Sequence, residues 1–164
     1  MYYYYYKQGI KPPRPTLSKN IIIKKRIPRP FVKNMHSMQM GKKRFLYFML
    51  MTFIYRGFSR VFREYDVIVD NKIVSKALLI SKVPIYQFLP LKGVHLCYCE
   101  TIEKERGHGY YPLLLKYIQS DVKKSLYMVV KESNTASIKG IEKAGFVKYA
   151  SGRKLTNGHF VIEE

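Results

Sequence analysis

The sequence predicts a mixed α+β fold, a β-sheet covered by helices, and three observations carry that prediction. From Tyr65 onward, β-rich runs bounded by turn residues alternate with stretches that bear helix start and stop signals. LYMVVKE at 126–132 is nearly all strand-forming residues, as in a strand buried on both faces. The 164 residues are enough for one domain to bury an ordinary core without disulfide or metal staples.

Taken in order, residues 1–43 begin MYYYYYKQ, pass through KPPRP and IPRP, and keep no period of 3.6 or 2. They read as a poorly ordered basic tail, within which NIIIKK could pair as a short strand. The remainder, 44–164, reads as one domain. It opens on the apolar run Phe45 to Tyr55, eleven residues with basic flanks. That is too short for a bilayer span, which needs about 20 apolar residues. Burial under the sheet is favoured over lying on an anionic lipid surface. YDVIV, DNK and IVSKALLI then form a hairpin, and GVHLCYCETI (93–102) a further strand. A glycine-containing turn leads to a helix from about Tyr110 to Val122, followed by the strand LYMVVKE. NTASIKGIEKAGF supplies an N-cap at Asn134, a helix and a terminating Gly145. The chain closes with a hairpin turning at Asn157-Gly158.

Charge divides the chain unevenly. Residues 1–63 hold 15 Lys and Arg with no Asp or Glu, whereas 64–164 hold 15 basic and 11 acidic residues, which together give the net charge of +19. The basic N-terminal part is suited to nonspecific contact with nucleic acid or an anionic membrane. Cys97 and Cys99 make no disulfide framework, and nothing resembles a cleaved leader, so a reducing cytoplasm is expected, with the membrane surface as its periphery. Nor does a metal site follow from His95, Cys97 and Cys99. Alternate strand residues lie about 6.6 Å apart, too far to converge on one ion at bonds near 2.3 Å.

The stretch ERGHGYYPLLLKYI (105–118) places two glycines before a helix. Glycine permits a tight turn, and it also lets amides approach a phosphate at a helix N-terminus. Both readings stand on this stretch alone. Arg106, Gly107, His108 and Gly109 have the spacing of the acyl-CoA motif of the GCN5-related N-acetyltransferases, the GNAT family, although Tyr111 stands where that motif has a small residue. Asn134, Ser137 and Glu142-Lys143-Ala144-Gly145-Phe146 match the family's second motif, and the two lie in the right order over 64–164. The chain therefore resembles this family. The resemblance implies a centrally splayed sheet and an acyltransferase that moves an acetyl or related acyl group from acyl-CoA to an amine by direct transfer. It implies acetyl-CoA as co-substrate and no metal. The pyrophosphate would rest on the turn from Arg106 through Gly107, His108, Gly109 and Tyr110. The pantetheine arm would pass Ile102 and Thr101, with Asn134 and Ser137 across the gap. Five strand residues back from Arg106 is roughly 16 Å, comparable to an extended pantetheine arm, which sets the thioester near Cys99 to Thr101. The acceptor would be a small amine, an amino sugar or a protein. A nucleic-acid-binding protein and an inert acyl-CoA-binding module are the rival readings.

Glu100 is the preferred general base and His95 the second candidate. A carboxylate in a half-buried strand beside the thioester gains proton affinity from desolvation. In an unbroken strand His95, Cys97, Cys99 and Thr101 share one face and Glu100 lies on the other, so the two candidates act separately unless a bulge intervenes. The family often has a tyrosine one position before the Glu of its second motif, as the general acid. Ile141 stands there, leaving protonation of the thiolate to water or to another residue such as Tyr98 or Tyr127.

Overall fold

The computed structural model describes residues 1–27, 62–81, 93–156 and 160–163, together with Leu46 and Leu50. Except for those two leucines, the apolar run 45–55 lies outside the described residues, as does the turn expected at Asn157-Gly158. Eight strands and two helices are described: β1 (Tyr2–Lys7), β2 (Ile21–Arg26), β3 (Phe62–Val69), β4 (Lys72–Ser81), β5 (Val94–Thr101), α1 (Tyr110–Asp121), β6 (Leu126–Lys131), α2 (Thr135–Lys143), β7 (Val147–Lys154) and β8 (Phe160–Glu163). A 3₁₀ turn at Glu103–Glu105 joins β5 to the glycine stretch.

All eight strands form one sheet in the order β2-β3-β4-β5-β6-β1-β7-β8. Every described pairing is antiparallel except that of β5 with β6. That parallel pairing extends over only Val94–Leu126 and His95–Tyr127, beyond which the two strands part. The expected splay is therefore present, and it opens toward the glycine turn. Asp70 and Asn71 close the β3–β4 hairpin with φ of 47° and 62°, the left-handed pair that a tight hairpin requires.

The expectation of a tail over 1–43 fails for its described part. Tyr2–Lys7 is an interior strand, paired with β6 on one side and β7 on the other, and Tyr4 and Tyr5 are buried. Because β6 and β7 are linked through α2 and run the same way, their crossover leaves a gap one strand wide, which β1 fills. Tyrosine explains why no alternation was visible: its ring can be buried while its hydroxyl finds a polar partner, so each parity of a run of tyrosines can face a core. The prolines of the KPPRP stretch lie between β1 and β2 and interrupt neither strand. NIIIKK does pair, as the edge strand β2 along β3.

Both helices cover one face. Leu114, Leu115 and Ile118 of α1, and Ile141, Ala144 and Phe146 in and after α2, share one core with Val67, Leu79, Leu96, Met128, Val130 and Tyr5. Full burial of each large apolar side chain contributes about 1.5–3 kcal/mol. Polar ties fix the helices to the sheet. Tyr65 and Lys25 each donate to Asp121 at the end of α1, at 2.8 Å, and Tyr5 donates to Glu142 of α2 at 2.9 Å. Gln119 donates to the Ala144 carbonyl and so links the two helices. On the opposite face, Arg26 lies 2.8 Å from Glu64 and 3.0 Å from Asp66, while buried Lys76 lies 3.7 and 3.8 Å from the same two carboxylates.

Candidate active site

Strand β5 changes character at Tyr98. Leu78 pairs with Cys97 and Lys76 with Glu100, so two residues, Tyr98 and Cys99, oppose Ala77 alone. Tyr98 adopts φ of 48°, a left-handed conformation that one type of bulge uses and a non-glycine residue seldom takes. The bulge resets the parity. Register places His95, Cys97 and Glu100 on the face away from the helices, with Lys76, whereas Leu96 and Thr101 face the helices. The unbroken-strand expectation is thus corrected, and His95 and Glu100 share a face. Cys99 packs against the core on the helix side.

Past the bulge, the strand leads through the 3₁₀ turn to the N-terminus of α1. Gly107 and Gly109 have φ of 85° and 78°, and a Cβ at either would meet nothing within 4 Å. Positive φ accounts for glycine at both positions, and the open space beside them leaves room for a ligand against the backbone. The first-turn amides of α1 have no partners within the helix, and Pro112 omits one of them at no cost. Across the splay, the Asn134 side chain caps α2 by accepting from the Ser137 amide at 3.2 Å.

These parts surround a cavity of about 460 Å³. Of the residues expected from sequence, Glu100, Thr101, Arg106, Gly107, Gly109, Tyr110, Asn134 and Ser137 line it. His95, Ile102 and His108 do not. His95 is buried further down β5, and His108 is exposed with its ring stacked on Tyr110 at 5.7 Å. Arg106 is exposed at the mouth, its Nη1 3.9 Å from Glu103. Ala136, Lys139, Gly140 and Lys143 also line the cavity; of these the sequence singles out only Lys143, as part of the second motif, and not as a lining residue. Their spacing of three, four and seven is the signature of one helix face, so the signal was present.

Tyr111 is the departure from the motif, and the structure shows where its ring goes. A Cβ on Gly140 would lie 2.5 Å from the Tyr111 ring, so the glycine is what admits that ring against α2. The hydroxyl pairs with the Cys99 thiol. Burial, with Cys99 beside it, holds the Tyr111 phenol well above its ordinary pKa. Burial likewise pushes the Cys99 thiol up to about 12, although the Tyr111 hydrogen bond favours its thiolate, and Cys97 is raised too. Neither cysteine is a thiolate near neutral pH, which argues against nucleophilic catalysis through sulfur. Burial lowers His95 to about 4, so it is neutral at pH 7 and a weak base.

No protein-family model and no curated protein matches the chain. Solved structures do resemble it. A functionally unknown conserved protein from Staphylococcus epidermidis superposes with a TM-score of 0.51 at 11% identity, covering 90% of this chain and 57% of that one. An acetyltransferase of the GNAT family from Colwellia psychrerythraea gives 0.48 at 13%, covering 90% and 52%. A protein from Novosphingobium aromaticivorans, provisionally described as a GNAT-family acetyltransferase, gives 0.48 at 13%, covering 91% and 61%. This chain thus spans between about half and three fifths of those chains. At such identities the likeness is one of fold.

Proposed function

We propose that this protein is an acyltransferase that moves an acetyl or related acyl group from acyl-CoA to an amine. The observation that carries the reading is the cavity bounded by the glycine turn at the head of α1, the bulged end of β5 and one face of α2, on the side toward which β5 and β6 part. The open space beside Gly107 and Gly109 fits a diphosphate, which free amides and the helix dipole would hold. Arg106, Lys139 and Lys143 add positive charge around it. Acyl-CoA, when bound, supplies a thioester carbonyl open to attack by nitrogen.

The chain supplies the proton traffic from both faces of the sheet. Glu100, on the face away from the helices, takes the proton of an amine that approaches through the splay. Tyr111, on the helix side beside Cys99, donates a proton to the departing sulfur. The C–N bond forms as the C–S bond breaks, with no covalent enzyme intermediate. Tyr111 thereby takes the place left empty by Ile141, which is buried in the core.

A panel of small amines and amino sugars, incubated with acetyl-CoA and read by free thiol release, tests the proposal. Release that depends on the amine and on Glu100 supports it. Stabilisation by acetyl-CoA with no release for any amine would instead indicate a binding module.

A further inference from the structure

Beyond the cavity, the other face of the sheet carries a feature that acyl transfer does not use. Among the described residues, six aromatic rings stand on the part of it formed by β1, β6, β7 and β8: Tyr2, Tyr4 and Tyr6 from β1, Tyr127 from β6, Tyr149 at the bulge of β7, and Phe160 from β8. They meet as edge-on and tilted neighbours, with centroids 5.0 Å apart for Tyr2–Phe160, 5.2 Å for Tyr6–Tyr127 and 6.2 Å for Tyr127–Tyr149. The inner rings are buried, but Tyr149 is 39% exposed and its neighbour on this face, Val147, 66%. The Tyr127 hydroxyl is buried without a hydrogen-bond partner.

Across β1, β6, β7 and β8 the charges on this face are of one sign, whereas Glu64, Asp66 and Glu100 stand on the same face of β3 and β5. Register places Lys131 and Lys154 here, both exposed. Glu163, the one carboxylate in β1, β6, β7 and β8, falls on the opposite face, paired with Arg153 at 2.9 Å. We infer that this surface is a stacking platform for single-stranded nucleic acid. Every base offers a ring face to Tyr6 and Tyr149. Lys131 and Lys154 meet phosphates, and the net charge of +19 draws a polyanion to the molecule. An apolar partner, or a second copy seated on the same four strands, would bury the two lysines where these strands offer no carboxylate on this face to receive them.

The test uses the full chain with a labelled oligouridine and a duplex of equal length at physiological ionic strength, and its readout is independent of acyl transfer. The single strand should bind more tightly than the duplex. Tyr149→Ala and Val147→Glu should each weaken single-strand binding by about fivefold or more, with the duplex unaffected by Tyr149→Ala. Val147 is exposed, so that variant keeps the test open if Tyr149→Ala fails to fold. No binding, equal binding of both forms, or variants that bind oligouridine like the parent would overturn the inference, leaving at most attraction by net charge. So would a parent that sediments as a dimer and a Val147→Glu variant that sediments as a monomer, since the face would then join two copies.

Discussion

The placement of Glu100 depends on Tyr98. One left-handed residue turns the carboxylate to the face opposite the helices, so that in the proposed mechanism base and phenol act from different sides. Glu100→Gln keeps that shape and removes the base. Turnover should fall at least about a hundredfold, while stabilisation by acetyl-CoA persists. Unchanged turnover at neutral and high pH would make Glu100 structural. Gly109 governs the other half of the site. Bound acetyl-CoA at a hundredfold excess over its dissociation constant should stabilise the folded chain by about 2.7 kcal/mol. Gly109→Val, with φ of 78° and a side chain in the mouth, should lose most of that shift. The parent's failure to shift with millimolar acyl-CoA would remove the basis for the phosphate cradle. The glycine turn and the Asn134 cap could be read from sequence because a turn and a cap announce themselves in residue type. The Tyr111 contact with Cys99 could not, because it depends on how α1, α2 and β5 meet.

Element by element, the sequence was clearest where pattern and propensity agree. The β3–β4 hairpin, β5, α1, β6 and α2 all lie near their expected positions, all but β6 marked by Gly, Asn or Asp at an end and β6 by its run of strand-forming residues. β1 was missed because five tyrosines in a row show no polar–apolar alternation, and because its partners lie more than a hundred residues away. The parity of β5 was missed because no glycine marks its bulge. β1 is the element whose loss should cost most. Removing residues 1–7 should abolish cooperative unfolding, which a disordered tail would not do. Tyr5→Ala, which empties a fully buried site, should destabilise by about 3 kcal/mol, and Tyr5→Phe, which forfeits only the bond to Glu142, by about 1 kcal/mol. Urea unfolding of the three variants checks the order.

For the molecule as a whole, acid is the expected weakness. His95 is held at about 4, below its ordinary 6.5, so the unfolded chain takes up that proton first and stability declines as pH falls from about 6.5 toward 4. Burial would raise Asp121, but the bonds from Lys25 and Tyr65 and the nearby charges outweigh it and leave the pKa below 3.8. Its contribution is present above 3.8 and is lost as pH falls through the lowered value. Asp66, raised by burial and by Glu64, opposes this trend, since its contribution declines as pH rises through its folded pKa. Denaturant midpoints measured from pH 7 to pH 4 should fall, and His95→Gln should flatten that decline; a parent with constant midpoints would contradict the burial of a neutral imidazole. Scale also affects how the sheet assembles. The strand that closes the gap between β6 and β7 is the earliest in the chain, while β7 lies some 140 residues later. Contacts so distant in sequence form slowly. Until β7 arrives, five tyrosines wait without a slot, and the β6–α2–β7 unit has a vacancy that β1 of another molecule would fit equally well. Refolding at high concentration should therefore favour strand-exchanged oligomers, whereas dilution should favour monomers.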